Sequence, residues 1–175
     1  MRLNLIALAI AVSAGCLLSN PASAGIVTKT QTQNAASACA LSIPTTDTKV
    51  RPKATGFRNE GTTNQFVICG FDIDSTDPGF HSIQLSFASI DGAAHNVSCT
   101  AAARFNSSTS AQYLTKNVAV PAGDTATFQI SDQDPDYDEA VYNLYPWGQS
   151  VTCTLTPGTA ITSLQSTHDD EDSAP

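Results

Sequence analysis

The run Asp132-Gln133-Asp134-Pro135-Asp136-Tyr137-Asp138-Glu139 concentrates more ionisable chemistry than any other stretch of this chain. Asp132, Asp134, Asp136 and Asp138 recur at alternate residues, and carboxylates so spaced can converge on a hard cation such as Ca²⁺, which takes oxygen ligands. The run begins like an EF-hand loop, but Tyr137 stands where that loop needs Gly and Asn143 where it needs a bidentate Glu. Pro135 restricts the backbone further. The expectation is a solvated acidic loop, with an irregular Ca²⁺ site as the alternative.

Tyr142, Tyr145 and Trp147 follow, beside Pro146 and Gly148. Aromatic rings on a loop offer large contact area at low entropic cost, so they suit stacking on a sugar face or anchoring a protein interface. The competing account is that Trp147 plugs one end of a core and Tyr142 points inward. A third cluster, Lys49-Val50-Arg51-Pro52-Lys53 with Arg58, holds four of the seven basic residues downstream of residue 24. It could recognise a carboxylate or phosphate, but a solvated or internally paired loop is the simpler expectation. Arg58 and Glu60, flanked by Gly56 and Gly61, are placed to fix a tight turn.

Hydrolase machinery is hard to assemble. The histidines are His81, His95 and His168, and neither a Gly-x-Ser-x-Gly elbow nor His-Glu-x-x-His occurs. Asp91 and His95 suit a turn-capping pair. A non-enzymatic protein is therefore expected, and a small hydrolase using loop carboxylates is kept as the alternative.

The elements that must carry these groups read as strands. Val67-Ile68-Cys69, Val97-Ser98-Cys99 and Val151-Thr152-Cys153 each place Val and Cys on one side of an extended backbone. Ile83, Leu85 and Phe87 alternate with Gln84, Ser86 and Ala88, the pattern of a sheet with one wet face. Asp91-Gly92 and Pro121-Ala122-Gly123-Asp124 are turns between strands. Residues 113–120, 125–130 and 160–164 are further strands, 25–37 contributes an edge strand, and 47–64 is mostly loop with short extended pieces. Seven to nine short strands without a helical period predict an all-β antiparallel sandwich, Ig-like or jelly-roll-like, with a barrel as the alternative.

Residues 1–24 read as a signal peptide: Arg2, an apolar stretch, and Ala22-Ser23-Ala24 before the cleavage. Cys16 after Ala14-Gly15 offers lipid anchoring as a minor alternative. Removing Arg2 leaves 7 basic against 16 acidic residues, so the net charge moves from −8 to −9. That argues against nucleic acid as a partner, since a phosphate backbone wants a basic face. No transmembrane segment is expected, because no second long apolar run follows. Residues 25–168 form one domain and 169–175 a disordered acidic tail with nothing to bury.

Beyond Cys16, the cysteines are Cys39, Cys69, Cys99 and Cys153, without the close spacing of zinc or redox motifs. In an exported chain they are expected as structural disulfides. Of the three pairings that four cysteines allow, Cys39–Cys69 and Cys99–Cys153 are favoured. The second joins segments of like character, Asn96 to Thr100 and Ser150 to Thr154.

The stretch from Lys49 through Gly56-Phe57-Arg58-Asn59-Glu60-Gly61 to Phe66-Val67-Ile68-Cys69, with Ser150 to Leu155 and Pro157-Gly158, resembles segments of small, uncharacterised secreted proteins of Gram-negative bacteria. The resemblance implies no activity. The reading is a secreted, disulfide-bonded β-sandwich, extracellular or periplasmic, that binds a glycan, an envelope component or a protein.

Overall fold

A computed structural model describes residues 25–43, 49–71, 73, 79–104, 111–135 and 149–171. The elements run β1 (Ile26–Asn34), α1 (Ala35–Ala38), β2 (Cys39–Leu41), β3 (Val50–Lys53), β4 (Gly56–Asn59), β5 (Gln65–Gly70), β6 (Phe80–Ser89), β7 (His95–Arg104), β8 (Ala111–Val120), β9 (Thr125–Ser131), β10 (Ser150–Leu155) and β11 (Thr159–Glu171). All pairings are antiparallel and form two sheets. The six-stranded sheet has the order β3-β4-β11-β6-β9, with β1 added along β11; the five-stranded sheet has the order β2-β5-β10-β7-β8.

From β4 onward the chain changes sheet at almost every connection. Counting these eight strands from first to last, one sheet reads first-eighth-third-sixth and the other second-seventh-fourth-fifth. That interleaving of two Greek keys is a jelly roll, which decides between the three architectures left open by the strand pattern.

The core lies between the sheets, built from the inward side chains of the alternating strands. Ile83, Leu85 and Phe87 of β6 and Phe128 and Ile130 of β9 face Val67, Val97, Val151 and Leu155 of the opposite sheet, all buried. Asn59 stitches the layers at one end: its amide donates to the Leu155 carbonyl at 2.8 Å and the Thr63 carbonyl at 2.9 Å, and its Oδ1 accepts from the Gly61 amide.

Three local features depart from the sequence pattern. Residues 50–59 form a hairpin where mostly loop is expected; its turn enters β4 through Gly56 at φ 124°, where a Cβ would sit 2.1 Å from the Ile161 carbonyl. A one-turn helix, α1, precedes Cys39; its N-cap is Asn34, whose side chain accepts from the Ala36 amide at 2.8 Å. Lastly, β11 runs through Glu171, into the segment expected as a tail, because β1 pairs with it along nine residues; residues 172–175 lie outside the described residues.

Both disulfides form as the residues suggest, Cys39–Cys69 and Cys99–Cys153. They do not cross between the sheets. Each joins directly opposed residues of neighbouring strands in the five-stranded sheet, with Cα atoms 4.1 Å apart, the close approach of a non-hydrogen-bonded pair. The sulfurs are inward and buried. Replacing Cys99 and Cys153 together by Ala is expected to lower unfolding stability by about 4 kcal/mol from loop entropy. Denaturant titration of the oxidised parent and the double variant measures it.

Candidate functional site

Inward cysteines dictate what faces outward. On β10, Val151, Cys153 and Leu155 point to the core, so Ser150, Thr152 and Thr154 point to solvent. The same parity exposes Ser98 and Thr100 of β7, Phe66 and Ile68 of β5, and Tyr113, Thr115 and Asn117 of β8. Strand registers align these into rows. One row reads Ile68-Thr152-Thr100-Thr115, the next Phe66-Thr154-Ser98-Asn117, and a third brings Ser150 and Ala102 beside Tyr113.

These rows contain no Lys, Arg, Asp or Glu, although the chain carries 8 basic and 16 acidic residues. Thr100 and Thr115 share a hydroxyl hydrogen bond at 2.8 Å. Tyr113 is 66% exposed, Phe66 48% and Ile68 38%, high values for large apolar side chains in strand interiors. A shallow trough of about 250 Å³ runs between Phe66 and Tyr113 over a floor of Thr100, Thr152 and Thr154.

Tyr113 also borders a second groove of about 650 Å³, which includes Gln112, Lys116, Asp134 and Pro135. Lys116 opposes Cys99 in register, so its stem starts on the inner face at the sheet edge. Its amine donates to the Gln129 carbonyl of β9 at 2.8 Å and pairs with Asp134, closing that side of the sandwich. The other Asp134 oxygen accepts from the Ser131 amide at 2.7 Å.

Of the four carboxylates considered for Ca²⁺, Asp134 is thus committed to Lys116. Asp132 turns instead to His81, 3.3 Å away. A cation shared by these two residues would have to displace an ammonium and an imidazole. Asp136 and Asp138, like Tyr142, Tyr145 and Trp147, lie outside the described residues. Two members of the basic cluster pair internally: Lys53 and Arg58 both meet Glu60, and Lys53 first, then Arg58, holds the Glu60 carboxyl below its ordinary value. Asp91 caps its turn, accepting from the Ala93 amide at 2.9 Å and meeting His95 at 2.7 Å; the amide is the larger cause of its lowered pKa.

No motif in the sequence assigns His81 a role. It lies on β6 where the register with β11 slips, Ser82 opposing Thr167 and Phe80 opposing His168. Such a bulge re-aims a side chain, and here the ring meets Asp169 through Nε2 at 2.9 Å and Asp132 through Nδ1 at 3.3 Å. Thr28 of β1 also donates to Asp169, at 2.8 Å. Asp169 first, and Asp132 after it, raise the His81 pKa; His81 in turn lowers that of Asp169. In its protonated form the ring can donate to both carboxylates at once. The cluster is a clasp joining β6, β11, β1 and the root of the acidic loop.

No family model matches this chain, and no curated protein matches it significantly. Among solved structures, the chain is similar to the GH26-CBM35 β-(1,4)-mannanase of Podospora anserina at 13% identity and a TM-score of 0.41. The likeness covers 83% of this chain and 28% of the enzyme, so the chain spans less than a third of that protein's length. A likeness at this level carries no argument about ligand or activity.

The clasp has a pH signature. The His81 contribution is fully present below its ordinary 6.5 and is lost as pH rises through the raised folded value. The Asp169 contribution is present above its ordinary 3.8 and is lost as pH falls through the lowered folded value. Both operate between those two ordinary values. Thermal midpoints are therefore expected to fall on raising pH from about 6 to about 9. His81→Gln should flatten that decline; an unchanged slope would remove His81 as its source.

Proposed function

We propose that this protein is a secreted, non-enzymatic binding protein of the cell envelope or extracellular space, and that it binds through the outer face of its five-stranded sheet. The observation that carries this reading is the exposure of Phe66 and Tyr113 at the two ends of an uncharged hydroxyl floor. Two outward aromatics at the ends of one trough, over an uncharged hydroxyl floor, supply the apolar area and the hydrogen-bonding groups that a contact surface uses. The signal-peptide pattern supports export, as do two formed disulfides; among the described residues no helix is long and apolar enough to cross a membrane.

The hydrolase alternative draws less support. Asp132 and Asp134 are engaged by His81 and Lys116, and the His81 ring meets a carboxylate at each nitrogen.

Retention of the mature protein on washed cell-envelope and exopolymer preparations tests the reading. The parent is expected to be retained, and Phe66→Ala combined with Tyr113→Ala should cut retention to background while leaving the thermal midpoint unchanged. Turnover of a glycoside, ester or peptide panel that is abolished by Asp132→Asn would favour the hydrolase.

A further inference from the structure

Resting on that binding reading, we infer that the ligand is an uncharged, extended polysaccharide. It lies diagonally across β5, β10, β7 and β8, with sugar rings stacked on Phe66 and Tyr113. Charge fixes the first part. The three aligned rows offer no cation to a uronate, sulfate or phosphate, and the net charge of −8 repels polyanions at longer range. Lys116, the basic residue of β8, starts from the inner face and is neutralised by Asp134, and Arg104, of the same parity as Ala102, lies one row beyond these three at the end of β7, opposing Ala111. A cationic ligand equally finds no carboxylate in these rows.

The floor chemistry argues for sugar over protein. Threonine and serine hydroxyls donate and accept as their rotors turn, matching the mixed donors and acceptors of sugar hydroxyls. The Thr100–Thr115 bond shows two of them already adjusting to one another. Protein hot spots instead favour Trp, Tyr and Arg in fully desolvated pockets, with Ser and Thr under-represented. Here aromatic area is confined to the two ends and the middle is hydroxylated, as a ligand with alternating apolar ring faces and polar rims requires.

Spacing sets the length. Phe66 shares a row with Ser98, and Tyr113 opposes Ala102, four residues further along β7. Three strand spacings across and four residues along put the two aromatics roughly 20 Å apart. One sugar ring cannot touch both, so the occupant is a chain of several rings and its affinity depends on both ends.

Affinity electrophoresis of the mature protein tests this, using gels that contain a neutral galactomannan, β-glucan or amylose, or acidic alginate or polygalacturonate. Retardation is expected in at least one neutral polymer and in neither acidic one, and should hold as salt is raised. Tyr113→Ala and Phe66→Ala are each expected to weaken binding about tenfold, and Tyr113→Phe to retain it. Free mono- and disaccharides should compete poorly. Several results would overturn the inference while leaving a binding face in place: salt-sensitive retardation by the acidic polymers, equal competition by monosaccharide, or neutral binding indifferent to both aromatics. No retardation in any polymer overturns it as well. If the envelope preparations also fail to retain the protein, the binding reading falls with it.

Discussion

Two of the four strand pairings in the five-stranded sheet are pinned in register by covalent cross-strand bridges, and the inward and outward sets of the bridged strands follow from that. Cys39–Cys69 ties β2 to β5 and Cys99–Cys153 ties β7 to β10, each between directly opposed residues. A one-residue slip of a strand would turn its inward set outward. With Cys99 and Cys153 locked inward, Thr100, Thr152 and Thr154 have no choice but the solvent side. The bridges therefore brace the core and fix the chemistry of the exposed face at once.

The remainder of the molecule supports that sheet from behind and from the side. The six-stranded layer supplies much of the bulk of the core through Phe57, Phe87 and Phe128. Lys116 closes one open side against β9, and Asn59 closes one end against Leu155. His81 clasps the C-terminal half of β11 together with β1, so the first described strand is pinned to the last. Among the described residues the ion pairs lie on the six-stranded sheet, at the Asp91 turn and at the Lys116 side, leaving the three rows on the five-stranded face uncharged.

Much of the fold was legible in the chain because strand periodicity is local. Ile83, Leu85 and Phe87 announce their buried face, and the three Val-x-Cys patterns announce theirs. The disulfide pairing followed from matching the segments around Cys99 and Cys153. The jelly-roll order was not legible, since which strand lies beside which is decided by contacts between residues far apart in sequence. Nor was the β3–β4 hairpin, whose Gly56 conformation depends on close approach to Ile161 in β11.

The candidate site was hidden for a different reason. The conspicuous residues of the sequence are the carboxylates and aromatics of its loops, whereas the exposed rings at the trough sit within strands. A signal was present: Phe66 and Ile68 occupy the positions opposite in parity to Val67 and Cys69, and Tyr113 shares parity with Thr115 and Asn117. Large apolar residues on the wet side of an alternating strand need an account other than the core. His81 could not be assigned because its orientation comes from a bulge that only the β6–β11 pairing creates. Non-reducing peptide mapping of the exported protein tests the bridge-locked register most directly. The account requires cross-linked peptides joining Cys39 to Cys69 and Cys99 to Cys153. Linkage of Cys39 to Cys99, of Cys69 to Cys153, or free thiols at these positions would contradict it.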